Sequence, residues 1–136
     1  MPTIEIETRG PGLYEFTGEL RRMLEGEGDG LVTLFVRHTS CSLVIQENAD
    51  PDVRADLEEF FRRLAPRADD PAMGWVRHRA EGPDDMPAHI RAALLPVSIS
   101  IPVEGGAPML GAWQGVYLFE HRDARQLRKV AVRFSS

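Results

Sequence analysis

Four histidines punctuate this chain, and three of them sit in short polar clusters among acids and glycines. His38 opens His38-Thr39-Ser40-Cys41-Ser42 after an apolar run, His78 opens His78-Arg79-Ala80-Glu81-Gly82, and His89 closes Asp84-Asp85-Met86-Pro87-Ala88-His89. Imidazoles beside carboxylates supply neutral nitrogen ligands and proton-transfer groups near neutral pH, as a metal site or an acid–base site requires. Three histidines can complete a catalytic-type zinc centre with one position open, which makes His38, His78 and His89 candidate ligands. They are far apart in sequence and must converge through the fold. The alternative is that each is a surface or hydrogen-bonded histidine.

Glu81 and Asp85 lie between two of these histidines, where a carboxylate can orient a ligating imidazole or act as general base. Asp84 reads instead as a charge at a helix start. Glu47, in Gln46-Glu47-Asn48, is a third candidate catalytic carboxylate, because it sits at a strand end without an evident capping role. In Leu110-Gly111-Ala112-Trp113-Gln114-Gly115 two glycines bracket Trp-Gln inside a strand-like run, which marks a bulge or a close approach. Gln114 is the better ligand contact there, with Trp113 divided between core and site. Arg122 and Arg125 could hold a phosphate by paired hydrogen bonds. Cys41 reads as a small packed side chain rather than a nucleophile.

The elements that must position these groups are short. Thr3 to Glu7 alternates as a half-buried strand, and Gly10-Pro11-Gly12 breaks the pattern. Thr17 is a plausible N-cap for a helix carrying Leu20, Met23 and Leu24. Leu31 to Val36 reads as a buried strand and Ser42 to Gln46 as another. Asp50-Pro51 is a strong helix start, followed by Val53, Leu57, Phe60, Phe61 and Leu64 at helical spacing. Pro66 to Gly74 is a loop. Pro87 starts a helix to Leu95 with His89 in its first turn. Strands then cover Val97 to Ile101, Leu110 to Glu120 and Lys129 to Phe134, with a turn at Gly105-Gly106. Many strands and two to three helices give an α+β single domain spanning 1–136.

With 136 residues, the chain is long enough to bury a core, and its longest apolar runs fall short of the ~20 residues of a membrane helix. A net charge of −5 with scattered arginines disfavours nucleic-acid binding. One cysteine excludes an intrachain disulfide and points to a reducing, cytoplasmic setting without a membrane.

Taken together, these clusters resemble the YjbQ family, described as secondary thiamine-phosphate synthase enzymes. The matching pieces run in order from about Leu31: His38 to Leu43, Glu47 to Val53, Asp56 to Pro66, His78 to Gly82, Asp84 to Ile90, Gly111 to Gly115 and Glu120-His121-Arg122. The resemblance implies a β-sandwich-like core, a homotrimer, and a divalent metal, zinc, on His38, His78 and His89. It also implies weak thiamine-phosphate synthesis, in which a pyrimidine methyl diphosphate joins a thiazole phosphate and pyrophosphate leaves. The partner is then a small phosphorylated metabolite, with Ser40, Gln114, Glu120 and Arg122 as candidate contacts and Glu81, Asp85 and Glu47 as candidate catalytic groups. The absence of a Gly-rich phosphate loop or a dense Asp cluster argues for low or incidental synthase activity. The alternatives are a non-catalytic trimeric binding module for a small phosphorylated metabolite and a zinc-dependent hydrolase.

Overall fold

Alternation of side chains along the strands decides the architecture. The computed structural model describes residues 2–136. Strand β1 (Thr3–Arg9) turns Ile4 and Thr8 inward, and β3 (Gly30–Val36) turns in Val32, Leu34 and Val36. β5 (Ser98–Glu104) contributes Ile101 and Val103, and β8 (Arg125–Ser135) contributes Arg128, Val130 and Val132. With the short β6 (Ala107–Pro108) they form an antiparallel sheet in the order β1-β8-β3-β5-β6. A second antiparallel sheet runs β2-β7-β4, from β2 (Gly12–Glu15), β7 (Gln114–Glu120) and β4 (Cys41–Glu47). Between them Val32, Leu34, Val130 and Val132 share one apolar core with Cys41, Leu43, Val116 and Leu118. Helix α1 (Thr17–Leu24) adds Leu20 and Leu24 to it.

β7 is buried on both faces from Gly115 to Glu120, as expected of a strand covered on each side. Val116 and Leu118 belong to the inter-sheet core. Tyr117 and Phe119 form a second core with Leu13, against Leu57 and Phe61 of α2 (Pro51–Leu64). Phe61 meets Phe119 edge-on, with ring centroids 5.3 Å apart. The domain therefore has three layers, sheet on sheet on helix, and the α+β reading holds.

Several boundaries moved for identifiable reasons. Asp50 caps α2 by accepting the Asp52 N–H at 2.9 Å, as its position promised. The apolar positions of α2 span two rows, however. Leu57 and Phe61 face the sheet, while Phe60 and Leu64 are 55% and 48% exposed. Thr17 lies inside α1 instead of capping it, and its hydroxyl donates to Glu15 and accepts from the Val116 N–H. β2 was hidden behind Gly10-Pro11-Gly12. At Gly12, φ is +152° and a Cβ would lie 2.7 Å from the Glu58 carboxylate, which accepts the Leu13 N–H, so glycine is needed there. β7 begins at Gln114 because the Gln114 side chain accepts the Gly111 N–H at 2.7 Å and closes a turn. Trp113 stands 67% exposed at that turn and joins no core. β8 extends over Arg125–Ser135, well beyond the apolar stretch that announced it.

Truncating Leu118 to Ala should cost about 3 kcal/mol in urea unfolding, because its fully buried side chain touches the inter-sheet core. Phe60→Ser should change stability by less than ~0.5 kcal/mol. Equal losses at the two positions would contradict the layer assignment.

Candidate functional site

The segment between α2 and helix α3 (Asp85–Leu94) contains only a single 3₁₀ turn, Pro71–Met73. It is held by the Arg79 guanidinium, which donates to the carbonyls of Val76, Ala68 and Met73 at 2.9–3.0 Å. Main-chain carbonyls with no ladder partner are thereby satisfied, and the residue beside Arg79, His78, is brought to the start of α3. α3 begins at Asp85, two residues before Pro87, which tolerates proline because first-turn N–H groups have no intrahelical acceptor. His89 is consequently one full turn beyond Asp85, on the same helix face.

These placements converge. His78 Nε2 lies 2.6 Å from Asp85 Oδ2, and His89 Nε2 lies 3.2 Å from the same oxygen. The two imidazoles meet edge to face with centroids 5.5 Å apart. One ligand atom each from His78, Asp85 and His89 all lie within 4.8 Å of one another. The Asp85 side chain is 3% exposed, and its other oxygen takes the Arg122 Nη1 at 2.8 Å. Arg122 also binds Asp84 Oδ2 through Nε at 2.8 Å and the Glu81 carbonyl through Nη2 at 3.2 Å. Burial pushes the Asp85 carboxyl up, but the His78 hydrogen bond and the charges of Arg122 and His89 outweigh it, holding the group below its ordinary value. Asp84 shows the same balance: burial raises it, and the bonds from Arg122 and the Asp123 N–H carry it below normal. An acid kept ionised beside two imidazoles suits cation binding and histidine orientation alike.

His38 is elsewhere. It lies between β3 and β4, with Nδ1 3.4 Å from Arg128 Nη1 and Nε2 3.3 Å from the Lys129 N–H. It is not in the group formed by His78, Asp85 and His89. Burial, then the charge of Arg128, lowers its pKa, with Arg37 and Lys129 adding to the effect. Glu120 partly offsets these cations, and within one chain the residue that groups with His78 and His89 is Asp85.

The remaining candidates divide between two ends of the sandwich. Glu120 pairs across β7 with Cys41, whereas Gln114 pairs with Glu47. Six residues of strand separate those rungs by about 20 Å. Glu47 has a structural task, since its carboxylate accepts the Asp50 N–H at 3.0 Å ahead of α2. Gln114 closes its turn. Glu120 is fully buried, and Ser40 is 8% exposed with its hydroxyl receiving Arg128 Nη2 at 2.9 Å. Arg122 is the one expected anion contact beside the two histidines, and its guanidinium is engaged by protein carboxylates. Glu81 is exposed at the rim. Cys41 is buried, and desolvation pushes its thiol up to about 12, which removes the nucleophile reading.

The sequence reading missed Arg128, whose guanidinium binds Glu120 through Nε and Nη2 at 2.7 and 2.6 Å. The signal was its parity: Arg128, Val130 and Val132 alternate inward on β8. It also missed the buried His121, whose Nε2 lies 3.0 Å from the Ser42 hydroxyl and whose Nδ1 has no partner among the described residues.

Comparison with known proteins agrees on the family. The family model described as "UPF0047 protein YjbQ-like" matches residues 2–136. A UPF0047 protein of Synechocystis is 49% identical over 132 residues, covering 96% of this chain and 87% of its own. The UPF0047 protein YjbQ of Salmonella typhimurium is 41% identical over 131 residues, covering 94% and 91%. Among solved structures, a conserved hypothetical protein of Thermus thermophilus superposes with a TM-score of 0.86 at 36% identity, covering 99% of this chain and 100% of that one. An uncharacterised conserved protein of Clostridium acetobutylicum gives 0.86 at 30%, with 99% and 100% covered.

His121 makes stability pH-dependent. Burial, followed by the charges of Arg91 and Arg128, depresses its pKa to about 3, whereas an unfolded histidine titrates near 6.5. The unfolded chain therefore takes up a proton that the folded one refuses. Stability should fall as pH drops from about 6.5 towards 3. Urea unfolding across that window should show a shallower slope for His121→Gln; an unchanged slope would place the proton uptake elsewhere.

Proposed function

The chain belongs to the YjbQ-like UPF0047 family, and we propose that it is an enzyme built around a divalent metal ion held by His78, Asp85 and His89. The observation that carries this reading is the convergence of two imidazole nitrogens and a buried carboxylate oxygen within 4.8 Å. Two nitrogens and one oxygen suit zinc and leave coordination positions for a substrate. Arg122 fixes the Asp85 carboxylate from its far oxygen, as supporting groups do around metal ligands. Glu81, Asp84 and Asp85 bring three carboxylates to the two imidazoles, and Arg122 pairs with two of them.

The proposed substrate is a small phosphorylated metabolite, and the reaction is the joining of a pyrimidine methyl diphosphate to a thiazole phosphate with release of pyrophosphate. The bound metal would supply Lewis-acid stabilisation of phosphate oxygens as negative charge develops on the leaving group. Asp85 orients both imidazoles, and Arg122 keeps Asp85 in place. Glu81, exposed at the rim beside Asp85, is the group proposed to take a proton from the amino group of the pyrimidine as the diphosphate leaves and to return it once the thiazole nitrogen has bonded to the methylene carbon. A homotrimer is the assembly proposed with this activity, and a reducing cytoplasm its setting. Among the described residues no helix is long and apolar enough to cross a membrane.

Elemental analysis of tag-free protein purified without added metal should find about one divalent ion per chain. His78→Ala/His89→Ala and Asp85→Asn should each lose it while keeping the circular dichroism of the parent, and His38→Ala should retain it. Loss in the His38 variant instead would bring His38 into the ligand set. Metal retained in the double variant would end this assignment. With metal bound, pyrophosphate release from the two substrates should fall about 100-fold in Glu81→Gln if that carboxylate is the base. Undiminished release would leave the metal site without its proposed proton acceptor.

A further inference from the structure

The outer face of the five-stranded sheet carries a groove that neither the core nor the histidine group uses. Its floor is Ala131 of β8, which pairs with Thr3 on one side and Phe35 on the other. A small side chain between two larger neighbours leaves a depression. Two adjoining hollows of about 270 and 290 Å³ share Thr3, Arg37 and Ala131, so they form one continuous groove. Lys129 and His38 line the first hollow, and Phe35 and Arg133 line the second.

Its charge is one-sided. β8 sends Lys129, Ala131 and Arg133 to the same face, which spaces the two cations about 13 Å apart. Arg37 follows the end of β3. Among the described residues Arg37 and Arg133 make no ion pair, and Lys129 has only a loose contact with Glu5 at 3.9 Å, both side chains being more than half exposed. Three cations gathered on one face of a chain with net charge −5 are a local reversal of the overall field. Phe35, 43% exposed, adds a flat apolar wall beside the cations.

We propose that this groove binds a small aryl phosphate, with the phosphate held by Arg37 and Arg133 and the ring laid on Phe35. Guanidinium forks match phosphate oxygens in pairs, and an aromatic wall selects a planar organic group over inorganic phosphate. The site needs neither the metal nor His78, Asp85 or His89.

The test uses phenyl phosphate as probe and amide chemical shifts of the full chain as readout, with inorganic phosphate as comparison and a chelator present throughout. Saturable shifts should centre on Thr3, Arg37, Ala131 and Arg133, with phenyl phosphate binding more tightly than inorganic phosphate. Arg37→Gln and Arg133→Gln should each weaken binding about tenfold. Phe35→Ser should bring phenyl phosphate down to the level of inorganic phosphate. All three positions are exposed, and the dispersion of the amide spectrum reports that each variant is folded. Absence of saturable shifts at these amides would overturn the proposal, as would indifference to both arginine changes or equal affinity for the two probes. Because the chelator removes any metal, a failure here would be separate from a failure of the histidine site, and binding that survives in His78→Ala/His89→Ala would support the groove alone.

Discussion

A carboxylate sealed between two sheets is tolerable only if every oxygen has a donor, and Glu120 meets that demand from four directions. Oε1 receives the Thr8 hydroxyl and Arg128 Nε, and Oε2 receives Arg128 Nη2 and the N–H groups of His121 and Arg122. Thr8 comes from β1, Arg128 from β8, and the main-chain donors from the end of β7. The same guanidinium reaches Ser40 between β3 and β4. Apolar packing between the sheets would tolerate a small slide, whereas this network does not, because each displaced donor leaves a buried polar group unmet. The register of one sheet on the other is thereby fixed at this end of the sandwich.

The histidine group inherits that rigidity through one residue. The Arg122 N–H is bound to Glu120, while its side chain binds Asp84 and Asp85 at the start of α3 and the Glu81 carbonyl in the preceding loop. The helix that carries His89 and the loop that carries His78 are thus referenced to the inter-sheet network rather than to solvent. Arg67 adds a second tie at the surface by pairing with Asp123 at 2.5 Å. Precise placement of imidazoles on a loop needs such an anchor, since loop main chain has few contacts of its own.

What the sequence disclosed follows the range of the interactions involved. Asp85 was named beside His89 as an acid, but the helix was expected to begin at Pro87; its start at Asp85 is what sets the two on one face, four residues apart. The capping of α2 by Asp50 was equally local. His78 joins them through the carbonyl contacts of Arg79 and the ties that Arg122 and Arg67 give the same loop, which no spacing rule announces. His38 was grouped with the other histidines because its residue type matched, while its surroundings, Arg37, Arg128 and Lys129, come partly from a strand ninety residues away. Glu120 looked like a strand-end acid available to ligand, because its partner Arg128 lies on the opposite sheet. Residue types at short separations were readable; the partners that decide burial were not.

β1 leaves one margin of the larger sheet open, and its residues settle what that margin can join. A free edge offers unpaired N–H and C=O groups to any passing strand. Along β1 the exposed positions are Thr3, Glu5, Glu7 and Arg9. A second copy aligned antiparallel about Ile6 would set Glu5 opposite Glu7 on both sides of the Ile6 rung, where like charges repel. The other margins are kept short or capped: β2 has four residues and β6 two, while the Leu43 N–H of β4 is taken by the Pro96 carbonyl at 2.8 Å. In the antiparallel register about Ile6, two glutamates on β1 oppose the joining of two copies through this edge.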